Sequence, residues 1–181
     1  MASTAAGAGF FELVREDFRR HGREWSSPGF QALAVHRFGC VARARNGLSG
    51  RMLRKLHRVC FVLMRNVYGI ELPATAVIGR RMYISHPHGV IVNDKAVFGD
   101  DCALSHNVTI GIGVAGKRSV PQFGDRVWIG PGAIVLGRVT IGDDAHIGAN
   151  AVVMTDVPAG AHVVEHPTRV LRLRRVDATA S

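Results

Sequence analysis

Histidine is the side chain of this sequence best placed to do chemistry at neutral pH, since its imidazole titrates there without special help. Two stretches carry it in a suggestive setting. Ser85-His86-Pro87-His88-Gly89 holds two imidazoles beside a glycine, and Ser105-His106 supplies a third twenty residues after His86. Such a group can remove a proton from a hydroxyl and so act as a general base. The other six histidines (His21, His36, His57, His146, His162 and His166) are spread without metal-ligand spacing, and packing or surface roles are expected for them. Cys40, Cys60 and Cys102 form no Cys-x-x-Cys pair and read as buried free thiols of a reducing compartment. Lys117 and Arg118, in a glycine-rich stretch, and Arg169 are candidate partners for phosphate or, equally, solvated surface charges.

The elements that must position these groups announce themselves by period. Phe123, Ile129, Val135, Ile141, Ile147, Val153 and Ala159 recur at every sixth position, with a small or β-branched residue four places after each of the first six. Six matches neither the 3.6 of a helix nor the 2.0 of a long strand. It suits a short strand plus a tight turn, stacked so that each unit buries its apolar face on the next. The expected fold is therefore mainly β, a parallel β-helix with one hexad per prism face. Earlier hexads at Leu72, Ile78 and Ile84 resume in a shifted frame at Val92, Phe98, Leu104 and Ile110, which places a two-residue slip near Gly89–Ile91. A longer break, Ile112 to Pro121, must loop out of the prism, and such interruptions are where a rigid repeat carries function. The repeats are expected to stop after Pro158, with the basic and apolar tail Arg169–Arg175 capping the last coil as a strand.

Ahead of the hexads the pattern is helical. Residues 1–8 are small and expected to be disordered, and residues 10–21 form a first helix. Ser27-Pro28 opens a second that runs to about Arg45, where Asn46-Gly47 breaks it. A third, about Ser49 to Tyr68, sets Leu53, Leu56, Cys60, Leu63 and Val67 on one face and Arg51, Arg54, Lys55, Arg58 and Arg65 elsewhere. That helix is read as packed on its neighbours with a solvated basic face, or alternatively as resting on anionic lipid. The division is 1–70 for the helical region and 71–181 for the β-helix with its tail. The chain of 181 residues carries a net charge of +9, which favours anionic partners, but no aromatic-interleaved basic motif supports nucleic acid. No signal peptide or spanning segment is visible, and a cytoplasmic location is expected.

Several segments together resemble the hexapeptide-repeat acyltransferases, in their serine acetyltransferase-like branch. Ser27-Pro28-Gly29-Phe30-Gln31-Ala32-Leu33-Ala34-Val35-His36-Arg37 is similar to that branch's helical segment, Ile84 to Val92 to its active-site stretch, and Leu104-Ser105-His106-Asn107-Val108-Thr109-Ile110-Gly111 to a following run. Ile129-Gly130-Pro131-Gly132-Ala133 and Ile147 to Val153 match its terminal coils. The resemblance implies a left-handed β-helix, against the usual crossover hand, a homotrimer or a dimer of trimers, and acetyl-CoA lying between neighbouring prisms. It implies that His86 is the general base acting directly on the acceptor hydroxyl, and that Glu71, fifteen residues earlier where the family has aspartate, orients it. It also carries contacts with acetyl-CoA onto Gly111, Pro131 and Ala149, of which Pro131 has no N–H to offer. Ser85, His88 and His106 are expected to line the acceptor cleft. Glu71, His86, His88 and His106 could be imagined around a metal, but nothing in the family requires one, and no metal is expected.

The positions by which serine-specific members hold their acceptor differ here. Ser119-Val120 stands where they have an Arg-His pair, Ser85 where they have aspartate, and Arg20-His21-Gly22 near their Asp-Pro. An amino-acid acceptor would lose charged partners worth ~2–5 kcal/mol if buried. The chain is in this respect similar to acetyltransferases of exopolysaccharide clusters, such as the colanic-acid type, with parallels at Tyr68-Gly69-Ile70-Glu71 and Ile78-Gly79-Arg80-Arg81. O-acetylation of a sugar hydroxyl is the leading expectation. Serine O-acetylation feeding cysteine synthesis is the first alternative, and a non-catalytic β-helix scaffold the second.

Overall fold

The structure is a computed structural model that describes residues 8–113 and 120–165. Residues 1–7, Lys117, Arg118, Ser119, Arg169 and the tail expected to form a strand lie outside the described residues. Three helices come first: α1 (Phe10–Arg20), α2 (Pro28–Ala44) and α3 (Gly47–Tyr68). Pro28 at the first helical position is pre-set for helix, while the Ser27 hydroxyl makes no capping bond. Gly69, at φ +60°, ends α3 in the left-handed conformation, its N–H bonded to the Arg65 carbonyl.

The hexads then wind a three-faced parallel solenoid. Face A stacks β1 (Ile70–Glu71), β4 (Val90–Val92), β7 (Thr109–Gly111), β10 (Ile134–Leu136) and β13 (Val152–Val153). Face B stacks β2 (Val77–Ile78), β5 (Val97–Phe98), β8 (Gln122–Phe123) and β11 (Thr140–Ile141). Face C stacks β3 (Tyr83–Ile84), β6 (Ala103–Leu104), β9 (Trp128–Ile129), β12 (His146–Ile147) and β14 (His162–Val163). Each strand sends its hexad's lead residue and the one two places before it inward. Met82 and Ile84, Cys102 and Leu104, Val127 and Ile129, and Ala145 and Ile147 are all no more than 1% exposed. Phe98 and Phe123 stack at 4.3 Å through two coils of face B.

Two interruptions depart from the regular coil, in which Trp128 pairs with His146 eighteen residues on. In the first coil Val77 pairs with Val97 and Tyr83 with Ala103, twenty residues on. The extra pair of residues falls in the corner Ser85–Gly89, between the inward Ile84 and Val90, and not at Gly89–Ile91 as the frame shift suggested. His86 and His88 thus sit inside the bulge. Between β7 and β8 the stretch Ile112 to Pro121 lengthens the next coil, so that Ala103 pairs with Trp128. Past Pro158 the winding continues for one more strand, β14, correcting the expectation that the repeats end there.

Face C meets face A along one edge and face B meets face C along another. On the B–C edge, Arg81, Asp101, Arg126 and Asp144 occupy successive left-handed corners. Arg81 pairs with Asp101 at 2.6 Å and Arg126 with Asp144 at 2.7 Å.

The lower end of the solenoid would expose unpaired backbone groups, and polar side chains of the helices meet them. Arg37 donates to the carbonyls of Ile78 (2.7 Å) and Gly79 (2.6 Å) and is held by Asp17 at 3.0 Å, the two side chains being 4% and 0% exposed. His36 bonds through Nδ1 to the Pro73 carbonyl at 3.1 Å. The Ile84 N–H donates to His21 Nε2 at 3.2 Å, whose Nδ1 faces the Asp17 carbonyl at 2.8 Å. The sequence expectation for α3 needs correction: Leu53 and Cys60 are half-buried, but Leu56, Leu63 and Val67 are exposed. Of the cysteines only Cys102 is buried; Cys60 is intermediate and Cys40 exposed.

Candidate active site

The corner Ser85–Gly89 is fixed from three sides. Ser85 donates its N–H (3.0 Å) and its hydroxyl (3.3 Å) to the Leu104 carbonyl in the coil above. The His88 N–H donates to the Tyr68 carbonyl at the end of α3, and its own carbonyl accepts from Asn107 at 3.0 Å. Below, His21 holds Ile84, and Gly29 of α2 lies so close that a Cβ there would fall 2.2 Å from the Ile84 oxygen. Gly89 has φ +72°, and a Cβ would come within 2.1 Å of Asn107 Oδ1 and 2.9 Å of its Cα. Only glycine meets both demands.

On this rigid corner His86 is exposed, its ring meeting that of His106 edge-on at 5.6 Å. His106 is half-buried, and its Nδ1 is buried without a hydrogen-bond partner in the chain. The His106 ring thus lies against a solvent-reachable imidazole and keeps one nitrogen for a polar partner. The coils above continue the same edge by a backbone ladder, Gly132 N–H to His106 carbonyl at 3.0 Å and Asn150 N–H to Pro131 carbonyl at 2.8 Å. His86, His88, His106, Pro131 and Ala149 therefore line one edge of the prism, between faces C and A, with Ser85 at its foot. The Pro131 carbonyl is spent on this ladder, so the ring remains as its contact surface.

Of the remaining expected site residues, Gly111 is placed apart from that edge and Glu71 is not bonded to it. Gly111 ends β7 at the A–B edge, where its carbonyl accepts the Gly137 N–H at 3.1 Å and the Ile112–Pro121 loop departs. Glu71 stands on β1 opposite Ile91, and no hydrogen bond joins its carboxylate to His86 within the chain. Among the described residues no group of three or more His, Cys, Asp or Glu is placed to hold a metal ion.

His21 is the positioning residue that pattern reading missed. It is buried, both ring nitrogens are engaged, and burial pushes its pKa down, which keeps Nε2 free to accept from Ile84. The only signal was its place near the missing Asp-Pro, and nothing there revealed a backbone partner sixty-three residues away.

Residues 121–154 match the bacterial transferase hexapeptide family (six repeats). Serine acetyltransferase of Mycobacterium tuberculosis is 41% identical over 145 residues, covering 80% of this chain and 61% of that protein. WcaB of Escherichia coli, named as a colanic acid biosynthesis acetyltransferase, is 36% identical over 158 residues, covering 86% of this chain and 96% of that protein. Among solved structures, Neisseria gonorrhoeae serine acetyltransferase in complex with serine superposes with a TM-score of 0.72 at 30% identity, over 89% of this chain and 68% of that one. This chain thus spans less than two thirds of the mycobacterial relative and nearly all of the Escherichia coli one. Hexapeptide repeats of this kind wind left-handed, and the chain belongs to the hexapeptide-repeat acyltransferases, in their serine acetyltransferase-like branch.

Proposed function

We propose that the protein is an acetyl-CoA-dependent O-acetyltransferase whose general base is His86. The observation that carries this is the single prism edge on which His86, His88 and His106 stand beneath Pro131 and Ala149. His86 takes the proton of an acceptor hydroxyl as that oxygen attacks the thioester carbonyl. The tetrahedral intermediate collapses by breaking the carbon–sulfur bond, and the departing CoA thiolate recovers the proton from the imidazolium. The acetyl ester and CoA thiol leave, and no acyl-enzyme forms. Glu71, on β1 opposite Ile91 and not bonded to His86 in the single chain, is assigned to orient it once acceptor and neighbouring prism are in place. Ser85, His88 and His106 line the acceptor cleft, and Gly111, Lys117, Arg118 and Arg169 serve acetyl-CoA.

Gly111 and its loop occupy the A–B edge while His86 occupies the C–A edge, so one prism does not gather the whole set. That division supports a homotrimer in which acetyl-CoA lies between the edge of one prism and the loop of the next, with residues 71–181 forming the transferase unit and residues 1–70 its helical base. Pairing of trimers through the helices, and work at the cytoplasmic face of a membrane, belong to the same reading.

For the acceptor we favour a sugar hydroxyl of polysaccharide biosynthesis. His21, near the position of the serine enzymes' Asp-Pro, is buried and fully engaged by backbone, leaving no charge there for an ammonium. The second reading, L-serine, is favoured by the higher identity to serine acetyltransferase. Release of CoA thiol from acetyl-CoA, offered L-serine in one reaction and nucleotide sugars or lipid-linked sugars in another, separates the two. Turnover with serine alone would sink the sugar reading. His86→Ala is expected to lower turnover by about 10²–10⁴-fold with acetyl-CoA binding retained; an unchanged rate would leave a scaffold as the better account.

A further inference from the structure

The exposed side of α3 carries more apolar surface than a solvated helix needs. Leu48, Met52, Leu56, Val59, Leu63 and Val67, spaced four, four, three, four and four, are each more than half exposed. At 1.5 Å per residue they form one continuous stripe about 29 Å long. Leu53 and Cys60, on another side of the helix, are half-buried, so the stripe is surplus to the packing of α3 on its own chain. Contiguous apolar patches of this kind mark a binding surface.

The chemistry beside the stripe selects its occupant. Arg51, Lys55, Arg58 and Arg65 are exposed along its flank, whereas Arg54, though exposed, is turned to the Ala42 and Arg45 carbonyls, and α3 contains no acidic residue. Two copies of α3 laid face to face would bring these like charges together with nothing to neutralise them. The acids clustered on the B–C edge cannot readily serve another copy, because Asp101 is paired with Arg81, Asp144 with Arg126, and Asp125 and Asp143 accept backbone N–H groups. An apolar stripe with a basic flank fits a bilayer bearing anionic headgroups, where the aliphatic side chains enter the acyl boundary and the bases meet phosphate. No helix of the described residues is long and apolar enough to cross a membrane, so α3 would lie along the surface.

We propose that α3 docks on an anionic lipid bilayer through this stripe. Its C-terminal turn is bonded straight to the catalytic corner, Tyr68 carbonyl to His88 N–H at 2.6 Å and Gly69 carbonyl to Val90 N–H at 3.1 Å. Docking therefore holds His86 at the bilayer edge, within reach of a hydroxyl on a membrane-anchored acceptor. That last consequence rests on the proposed acetyl transfer; the docking does not.

The test is flotation of the full chain, without acetyl-CoA, on vesicles of phosphatidylcholine alone or mixed with phosphatidylglycerol, at low and raised salt. Binding is expected on the mixed vesicles, weakening with salt. Leu56→Glu with Leu63→Glu should lower partitioning more than tenfold, and Arg51→Gln with Arg58→Gln about thirtyfold, both with an unchanged thermal midpoint. Failure to float on the mixed vesicles, equal binding to both compositions, or wild-type binding by the Leu56/Leu63 variant would each overturn the proposal. So would a fall in oligomer size of that variant in sedimentation when the wild type binds no vesicles, since the stripe would then cover a second copy. CoA release with a soluble acceptor, measured in parallel, reports on the transferase reading alone.

Discussion

His36 gives the protein a calculable weakness to acid. It is about 1% exposed in α2, bonded through Nδ1 to the Pro73 carbonyl, with Cys40 Sγ 3.6 Å from Nε2. Burial, and behind it the charge of Arg37, push its pKa from 6.5 down to about 3. The fold thus holds the neutral ring, and in acid the unfolded chain binds a proton that the folded one refuses. The contribution is complete above pH 6.5 and is lost progressively as pH falls toward 3, at about 1.4 kcal/mol per pH unit. Between pH 7.5 and pH 5.0 the loss through this one group is about 2 kcal/mol, a large share of an ordinary domain's stability. His36→Asn keeps a donor near the Pro73 carbonyl and removes the titration. Urea unfolding at both pH values, at one protein concentration because an oligomer's stability depends on it, should show wild type losing about 2 kcal/mol more than the variant. Equal losses in the two proteins would refute the argument, since His21, also pushed down by burial, and the acid-side carboxylates are common to both.

Removing Arg37 should be far costlier than removing a surface charge. Arg37→Met strands the carbonyls of Ile78 and Gly79 and leaves Asp17 buried without its partner, a loss of about 3–5 kcal/mol that adding Asp17→Asn should partly recover, as read from urea midpoints. Gly89→Ala should cost about 1–2 kcal/mol for its backbone conformation alone and displace the corner through Asn107. On the proposed mechanism, turnover in that variant should fall while acetyl-CoA binding is retained; unchanged turnover would count against His86 as the general base.

The solenoid was legible because its period is local: each hexad specifies a strand and a corner whatever lies around it. The length of the two interruptions was legible for the same reason, but the exact seat of the first was not. Val90 and Val92 both point inward, so counting from either gives a consistent frame, and only the backbone shows that the additional residues lie at Ser85–Gly89. In α3, spacing of three and four groups residues into a stripe without saying which stripe meets the protein, and Leu56 and Leu63 are on the side that does not. The clamp made by Asp17, His21, His36 and Arg37 was hidden for a different reason. Arg37 finds its carbonyls forty-one and forty-two residues away, a pairing that no periodicity encodes. Of the expected site residues, His106 meets the ring of His86, Ser85 and His88 share its corner, and Gly111 and Glu71 are not joined to it in a single chain.

That clamp also bears on the order of assembly. Among the described residues, the side chains bonded to the open lower edge of the first coil are His21, at the end of α1, and His36, Arg37 and Cys40 of α2, all of which leave the ribosome before β1. The helices are thus ready as a platform when Ile70 to Ile84 arrive, and each finished coil then offers a paired edge to the next, as nearest-neighbour repeats do. During synthesis, folding is therefore expected to run upward from the helices. A circular permutant that delivers residues 8–69 after the coils should expose that dependence as bare strand edges and aggregation during synthesis, even if its finished fold were the same.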